Sequence, residues 1–311
     1  MNILMKKLPF SDPDITAKGE ARAQVAFGGL ETLWVNTGTL CNITCASCYI
    51  ESSPENDRLA YLPLSDLEAA LDEAAVRGEP LKEIGFTGGE PFLNPQFGAM
   101  LRLCLQRGFR VLVLTNAMKP MMRPHVQAQL MDLVPQRDRI IFRVSLDHFR
   151  EELHDEERGA GSFAQALLGM RFLAAQGFAL AVAGRLKWGD TDAAMRAGFA
   201  ELFAREGFAI DARDPAALVI FPEMDEKAEV PEITTACWGI LKKSPDSLMC
   251  AKTRMLVRRK GAAAKSYVSC TLLPYDPQFD MGETLGEASR AVKLNHPHCA
   301  KFCVLGGASC S

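Results

Sequence analysis

Cys41, Cys45 and Cys48 fall within eight residues, Cys41-Asn42-Ile43-Thr44-Cys45-Ala46-Ser47-Cys48, spaced first by three residues and then by two. Three thiolates on one short loop suit three corners of a [4Fe-4S] cube, and the corner without a protein ligand leaves one iron open to a further molecule. A structural zinc site or a few buried free thiols would use the same residue type. Structural zinc usually draws its ligands as two pairs, however, and neither a histidine nor a fourth cysteine lies close enough in sequence to complete this trio locally.

Phe86-Thr87-Gly88-Gly89-Glu90-Pro91 is the second run that carries chemistry. Paired glycines let the backbone approach a ligand closely, and a carboxylate beside them accepts hydrogen bonds from an ammonium group. Taken alone, the run is equally a tight strand-to-helix turn with a capping acid. Following the cysteine trio by one strand-helix unit, it resembles the radical S-adenosylmethionine enzymes. The resemblance implies that the open iron chelates the amino and carboxylate groups of S-adenosylmethionine. One electron from the reduced cluster would then release methionine and a 5′-deoxyadenosyl radical, which abstracts hydrogen from a substrate. It further implies that Gly88, Gly89 and Glu90 meet the amino group and that the backbone at Tyr49 meets the adenine. By the same resemblance Ser145 and Asp147 match the ribose-contacting position, Asn116 faces the same cavity, and Arg185 pairs with the methionine carboxylate. The alternatives are ordinary caps or turns for Asn116, Ser145 and Asp147, and a structural ion pair for Arg185.

The final third carries Cys237, Cys250, Cys270, Cys299, Cys303 and Cys310. Cys250 and Cys270 sit at the base of a predicted hairpin with Gly261 in its turn. The run Cys270-Thr271-Leu272-Leu273-Pro274, followed by Phe279 to Leu285, resembles the SPASM or shortened Twitch extension, which binds auxiliary [4Fe-4S] clusters. Two departures matter: the gap from Gly261 to Cys270 is longer than usual, and no Cys-x-x-Cys pair precedes Cys299 and Cys303. Six thiols cannot complete two four-ligand clusters, so a single auxiliary cluster is expected. Its first-choice ligands are Cys250, Cys270, Cys299 and Cys303, with Cys310 or Cys237 as substitutes. A zinc site is the alternative, and His296 and His298 either join such a site or are exposed turn histidines.

The elements that must position these residues follow from periodicity. Strands are predicted over Thr32–Asn36, Ile84–Thr87, Val111–Leu114, Ile140–Leu146, Ala179–Leu186 and Ala217–Phe221. Helices are predicted over Ser65–Val76, Pro95–Gln106, His125–Leu133, Phe163–Gln176 and Asp192–Arg205, with Ser65 and Glu68 forming a capping box. Alternation of this kind predicts α/β architecture with a parallel sheet covered by helices. Pattern alone leaves an open doubly wound sheet and a barrel both standing; the resemblance implies a partial (β/α)6 TIM-like barrel with a small C-terminal cysteine-rich extension. The expected division is a lead segment over 1–30, the barrel over 31–222 and the extension over 223–311.

Composition limits the rest. At 311 residues and 48% hydrophobic content the chain can bury a substantial core. A net charge of −3 argues against nucleic-acid binding, and the one basic run, Arg258-Arg259-Lys260, reads as the solvated end of the hairpin. No apolar stretch is long enough to span a bilayer, and Met1 to Phe10 lacks the features of a signal peptide, so the cytosol is the expected compartment. Clustered cysteines in that reducing compartment point to metal or cluster ligation rather than disulfides. Cys104 alone stands apart, in an amphipathic stretch that reads as core. The resemblance implies a reductant such as flavodoxin or ferredoxin. It also implies a peptide, protein side chain or small-molecule substrate, and peptide modification is the leading expectation. No catalytic acid or base declares itself; Asp147, Tyr267 and Asp276 are unranked polar candidates. A metal-binding scaffold without catalysis is the rival from another class.

Overall fold

The computed structural model describes residues 8–223 and 229–306. Its main sheet has nine strands. In chain order these are β2 (Thr32–Asn36), β3 (Glu83–Thr87), β4 (Arg110–Thr115), β5 (Ile140–Ser145), β6 (Ala179–Leu186), β7 (Leu218–Pro222), β8 (Thr253–Val257), β9 (Ser266–Val268) and β10 (Asp280–Gly282). The short β1 (Gln24–Val25) pairs separately with β11 (Val292–Lys293). Strands β2 to β7 lie side by side in sequence order and all run parallel. Beyond β2, β8 adds a further parallel strand, and β9 and β10 continue antiparallel.

Between the parallel strands run α1 (Leu64–Val76), α2 (Phe97–Gln106), α3 (Pro124–Met131), α4 (Glu151–Arg158), α5 (Ser162–Ala175) and α6 (Asp192–Glu206); α7 (Cys237–Leu241) and α8 (Leu285–Ala288) follow. Because side chains alternate across a strand, one face of the sheet presents Leu33, Val35, Ile84, Phe86, Val113, Phe142 and Val144 to the helices. The opposite face carries a second apolar cluster, in which Trp34, Leu112, Met255, Val257 and Val268 meet Phe302. Phe302 belongs to the π-helical turn Cys299–Leu305 and stacks on Phe221 at 5.4 Å. The segment Cys299–Leu305 is therefore packed against this second face of the sheet.

Local details depart from the sequence pattern in instructive ways. The expected capping box at Ser65 and Glu68 does not form: Pro63 is the N-cap of α1, and the Leu64 N–H is capped at long range by Gln96 Oε1 at 2.8 Å. A capping box does form at Thr284 and Glu287. Helix α4 has no counterpart in the predicted elements, because Glu-Glu-Leu-His-Asp-Glu-Glu-Arg carries no apolar stripe; only His154 and Glu157 are buried. The hairpin turn has Gly261 at φ +75°. Its basic run is paired rather than merely solvated, with Arg258 on Asp66 at 3.0 Å, Arg259 on Asp280 at 2.8 Å and Lys260 on Asp57 at 2.6 Å. Cys104 is fully buried in α2. Among the described residues no helix is long and apolar enough to cross a membrane.

Candidate functional site

Parallel strands bring their C-terminal ends to one edge of a sheet, and loops leaving that edge can share a cavity. Here they share one open cavity. From the loop after β2 it receives Cys41, Cys45, Cys48 and Tyr49; from the loop after β3, Gly88 and Gly89; from β4 and its end, Leu114, Thr115 and Asn116. Strand β5 and its end add Arg143, Ser145 and Asp147, β6 adds Ala183 and Arg185, and β7 adds Phe221. Thr271 and Leu272, directly after Cys270, close another side. Of the residues singled out around the cysteine trio, all but Glu90 line this one space.

The paired glycines are explained first by the chain itself. Backbone bonds join Gly89 N–H to the Gly38 carbonyl at 2.8 Å and Glu90 N–H to the Leu40 carbonyl at 3.1 Å, pressing the turn against the start of the cysteine loop. A Cβ on Gly89 would lie 2.1 Å from the Leu40 carbonyl oxygen, and one on Gly88, where φ is +135°, would lie 2.5 Å from that of Gly38. Gly89→Ala must therefore displace backbone rather than a flexible side chain. We expect it to destabilise the chain by about 3 kcal/mol, the upper part of the overpacking range, in a denaturant titration; a loss below about 1 kcal/mol would contradict this close fit.

The Glu90 side chain is directed inward. Its carboxylate accepts from the Thr115 hydroxyl at 2.9 and 3.0 Å, from Asn116 N–H at 2.9 Å and from Phe92 N–H at 3.3 Å. Burial pushes its pKa up to about 7 against the pull of those donors. It ties the end of β3 to the end of β4, which sets Asn116 at the cavity, where its Nδ2 donates to Asn42 Oδ1 at 2.9 Å.

Asp147 likewise has internal partners. Arg158, the last residue of α4, donates to both of its oxygens, and Arg185 Nε donates to Oδ1 at 3.0 Å. Burial works to raise the Asp147 pKa, but the two guanidinium groups outweigh it and hold it below the usual carboxylate range. Arg185 is thus ion-paired with Asp147; it also donates to the Ser47 carbonyl at 2.8 Å and lies over the Tyr49 ring at 4.8 Å. Arg158 was not singled out by sequence, since it ends a helix with no periodic signal. Two cations against one carboxylate leave a net positive charge beside the thiols.

That charge bears on the thiols directly. Burial raises the Cys45 pKa and Arg158 opposes the rise, while burial pushes Cys41 up to about 12. A metal that binds here must therefore displace protons from thiols that are otherwise neutral. Among the described residues no three His, Cys, Asp or Glu side chains converge as closely as a single metal ion requires. A cubane asks less of them, because each thiolate binds a different iron. Three thiols lining one cavity, with cationic groups beside them, form a donor set that fits such a cluster.

A second group of thiols comes from the C-terminal third of the chain. Cys299 is buried and its pKa is raised well above the ordinary value, by burial first and then by the neighbouring Cys270 and Cys250. Those three are therefore close together, and Cys303 sits one turn further along the same π-helical segment. Cys237 lies apart in α7, beside Thr234, and Cys310 falls outside the described residues. His298 is buried rather than exposed and makes an edge contact with Tyr49 at 6.5 Å. Tyr275 donates to the Ile50 carbonyl at 2.9 Å, so the loop after Cys270 is fastened to the cysteine loop.

Residues 35–185 match the Radical SAM superfamily model. Among curated proteins the chain is similar to the antilisterial bacteriocin subtilosin biosynthesis protein AlbA of Bacillus subtilis, at 35% identity over 46% of this chain and 30% of that protein. It is also similar to the mycofactocin maturase MftC of Mycobacterium ulcerans, at 32% identity over 45% of this chain and 35% of that protein. The chain thus spans about a third of the length of the curated relatives it matches. The fold is shared with the solved structure of native anSMEcpe with bound AdoMet and Cp18Cys peptide, at a TM-score of 0.57 and 13% identity over 83% of this chain and 79% of that one.

Proposed function

We propose that this chain is a radical S-adenosylmethionine enzyme whose first site is the cavity at the strand ends, on a sheet that serves as a partial (β/α)6 barrel. The observation that carries the reading is the meeting of Cys41, Cys45 and Cys48 with the ends of β3 to β6 in one space. In this reading the three cysteines hold a [4Fe-4S] cluster, which when bound supplies one electron for reductive cleavage of S-adenosylmethionine to methionine and a 5′-deoxyadenosyl radical. The protein's share is placement. Gly88 and Gly89 present backbone to the methionine end, and Tyr49, Asn116 and Ser145 border the nucleoside end. Asp147 and Arg185 act as a pair that shapes this wall. Trp34, Leu114, Phe221 and Leu272 provide apolar surface that keeps water from a reactive radical.

We further propose an auxiliary [4Fe-4S] cluster on Cys250, Cys270, Cys299 and Cys303, in a SPASM- or Twitch-like extension over 223–311. With four cysteine ligands it would carry electrons rather than bind substrate. A peptide or protein side chain is the proposed substrate, supported by the biosynthesis protein and the maturase among the relatives and by a peptide-bound structure of the same fold. Flavodoxin or ferredoxin would be the reductant, and the cytosol the compartment.

The test is methionine release. Anaerobically reconstituted protein, incubated with S-adenosylmethionine and dithionite, should release methionine and 5′-deoxyadenosine above a no-protein control. Iron-loaded protein that releases neither would be a scaffold, and the proposal would fall.

A further inference from the structure

The middle of the cysteine loop is gripped from outside the cavity. Glu157, next to last in α4, has a side chain with no exposed surface. One carboxylate oxygen accepts from Ser47 N–H at 2.6 Å; the other accepts from the Ser47 hydroxyl at 3.1 Å and from Lys187 Nζ at 2.7 Å. The Glu157 backbone carbonyl accepts from Ala46 N–H at 3.0 Å. On the far side of the same residue, Arg185 donates to the Ser47 carbonyl. Both backbone groups of Ser47 thus end on charged side chains, between the two thiols Cys45 and Cys48.

The position of α4 shows what this grip is for. A helix with almost no apolar residues gains little by joining the core, and α4 buries only His154 and Glu157. Glu157 does not line the cavity. Its negative charge would on its own repel nearby thiolates, and Lys187 offsets that charge. What remains is geometric: a loop whose amides are already bonded to buried partners has little conformational freedom left to lose when it binds something.

We propose that Glu157 is a positioning residue that fixes the conformation of Ala46 and Ser47 before any metal arrives, so that Cys45 and Cys48 are presented ready for cluster capture. The capture half rests on the function proposed above, while the fixing half does not.

Two measurements separate these halves. The first is hydrogen exchange in the segment 43–49 of the metal-free full-length protein, compared between wild type, Glu157→Ala, Glu157→Gln and Lys187→Met. Loss of the bond to a charged acceptor should speed exchange of the Ser47 amide by about tenfold or more in Glu157→Ala, while Ala46, whose acceptor is the backbone carbonyl of residue 157, should change less. Glu157→Gln, whose amide oxygen still accepts, should fall between that variant and wild type. The second is the rate at which reconstituted protein loses the iron of the first site to a chelator, which should rise by a similar factor in Glu157→Ala while iron at the C-terminal site leaves unchanged. Rapid exchange at these amides in wild type, or unchanged exchange and iron retention in the alanine variant, would overturn the proposal. Should Glu157→Ala fail to fold, Glu157→Gln and Lys187→Met decide it by the same readouts: exchange and iron loss faster than wild type support it, and wild-type rates overturn it. If wild type captures no iron on Cys41, Cys45 and Cys48, the proposed function fails, and the exchange data still decide whether Glu157 fixes the loop.

Discussion

Replacing Cys41, Cys45 and Cys48 together by alanine should lower the iron of anaerobically reconstituted protein from about eight per chain to about four, the content of one cubane. It should also abolish methionine release. The size of the effect follows from the donor set. Thr39 and Leu40 on one side of the loop and Ser47 on the other are held by hydrogen bonds that do not involve the thiols, so the triple variant keeps most of what fixes its loop and loses, besides its ligands, the Ser52 N–H bond to Cys48 Sγ at 3.3 Å. Circular dichroism and the denaturation midpoint should accordingly stay close to those of wild type. A drop from four irons to none would leave the first site standing and remove the auxiliary cluster from the account. Wild-type protein that takes up no iron would remove both.

The parallel sheet was legible because its strands are short continuous apolar runs separated by helical periodicity. Thr32–Asn36 and Ala179–Leu186 begin and end where the pattern placed them, and the other parallel strands shift by a residue or two. Helix α4 was not legible, since its reason for existing is electrostatic: it delivers Glu157 and Arg158 to the cysteine loop, and a single sequence does not show which distant carboxylate or amide a charged residue will meet. The same limit governs Glu90 and Asp147. Their places just past strands β3 and β5 were visible, which is why both were read as reaching a ligand. What could not be seen was that Thr115, Asn116, Arg158 and Arg185 would converge on them and leave their carboxylates satisfied from within. At this site strand-end position was readable, whereas charge partnership required the fold.

That partnership makes Asp147 the residue whose loss should cost the most stability. Its side chain is 1% exposed, and those of its partners Arg158 and Arg185 are 10% and 13% exposed. Asp147→Ala leaves two guanidinium groups at the cavity wall with no carboxylate between them, and removing one partner from a buried pair typically costs about 3–5 kcal/mol. We expect a loss in that range from denaturant titration of the metal-free full-length protein at pH 7. Asp147→Asn, which keeps an acceptor but no charge, should lose less. The sign of the pH dependence is fixed as well. Because the folded-state pKa of Asp147 lies below its ordinary value of 3.8, its contribution is present above that value and is lost as pH falls through the lower folded-state value. The Asn variant should therefore approach wild type in stability as the solution is acidified below that point. A deficit under about 1 kcal/mol at pH 7, the scale of exposed pairs, would mean that water screens this network. Asp147 would then not be what holds Arg185 against the Ser47 carbonyl.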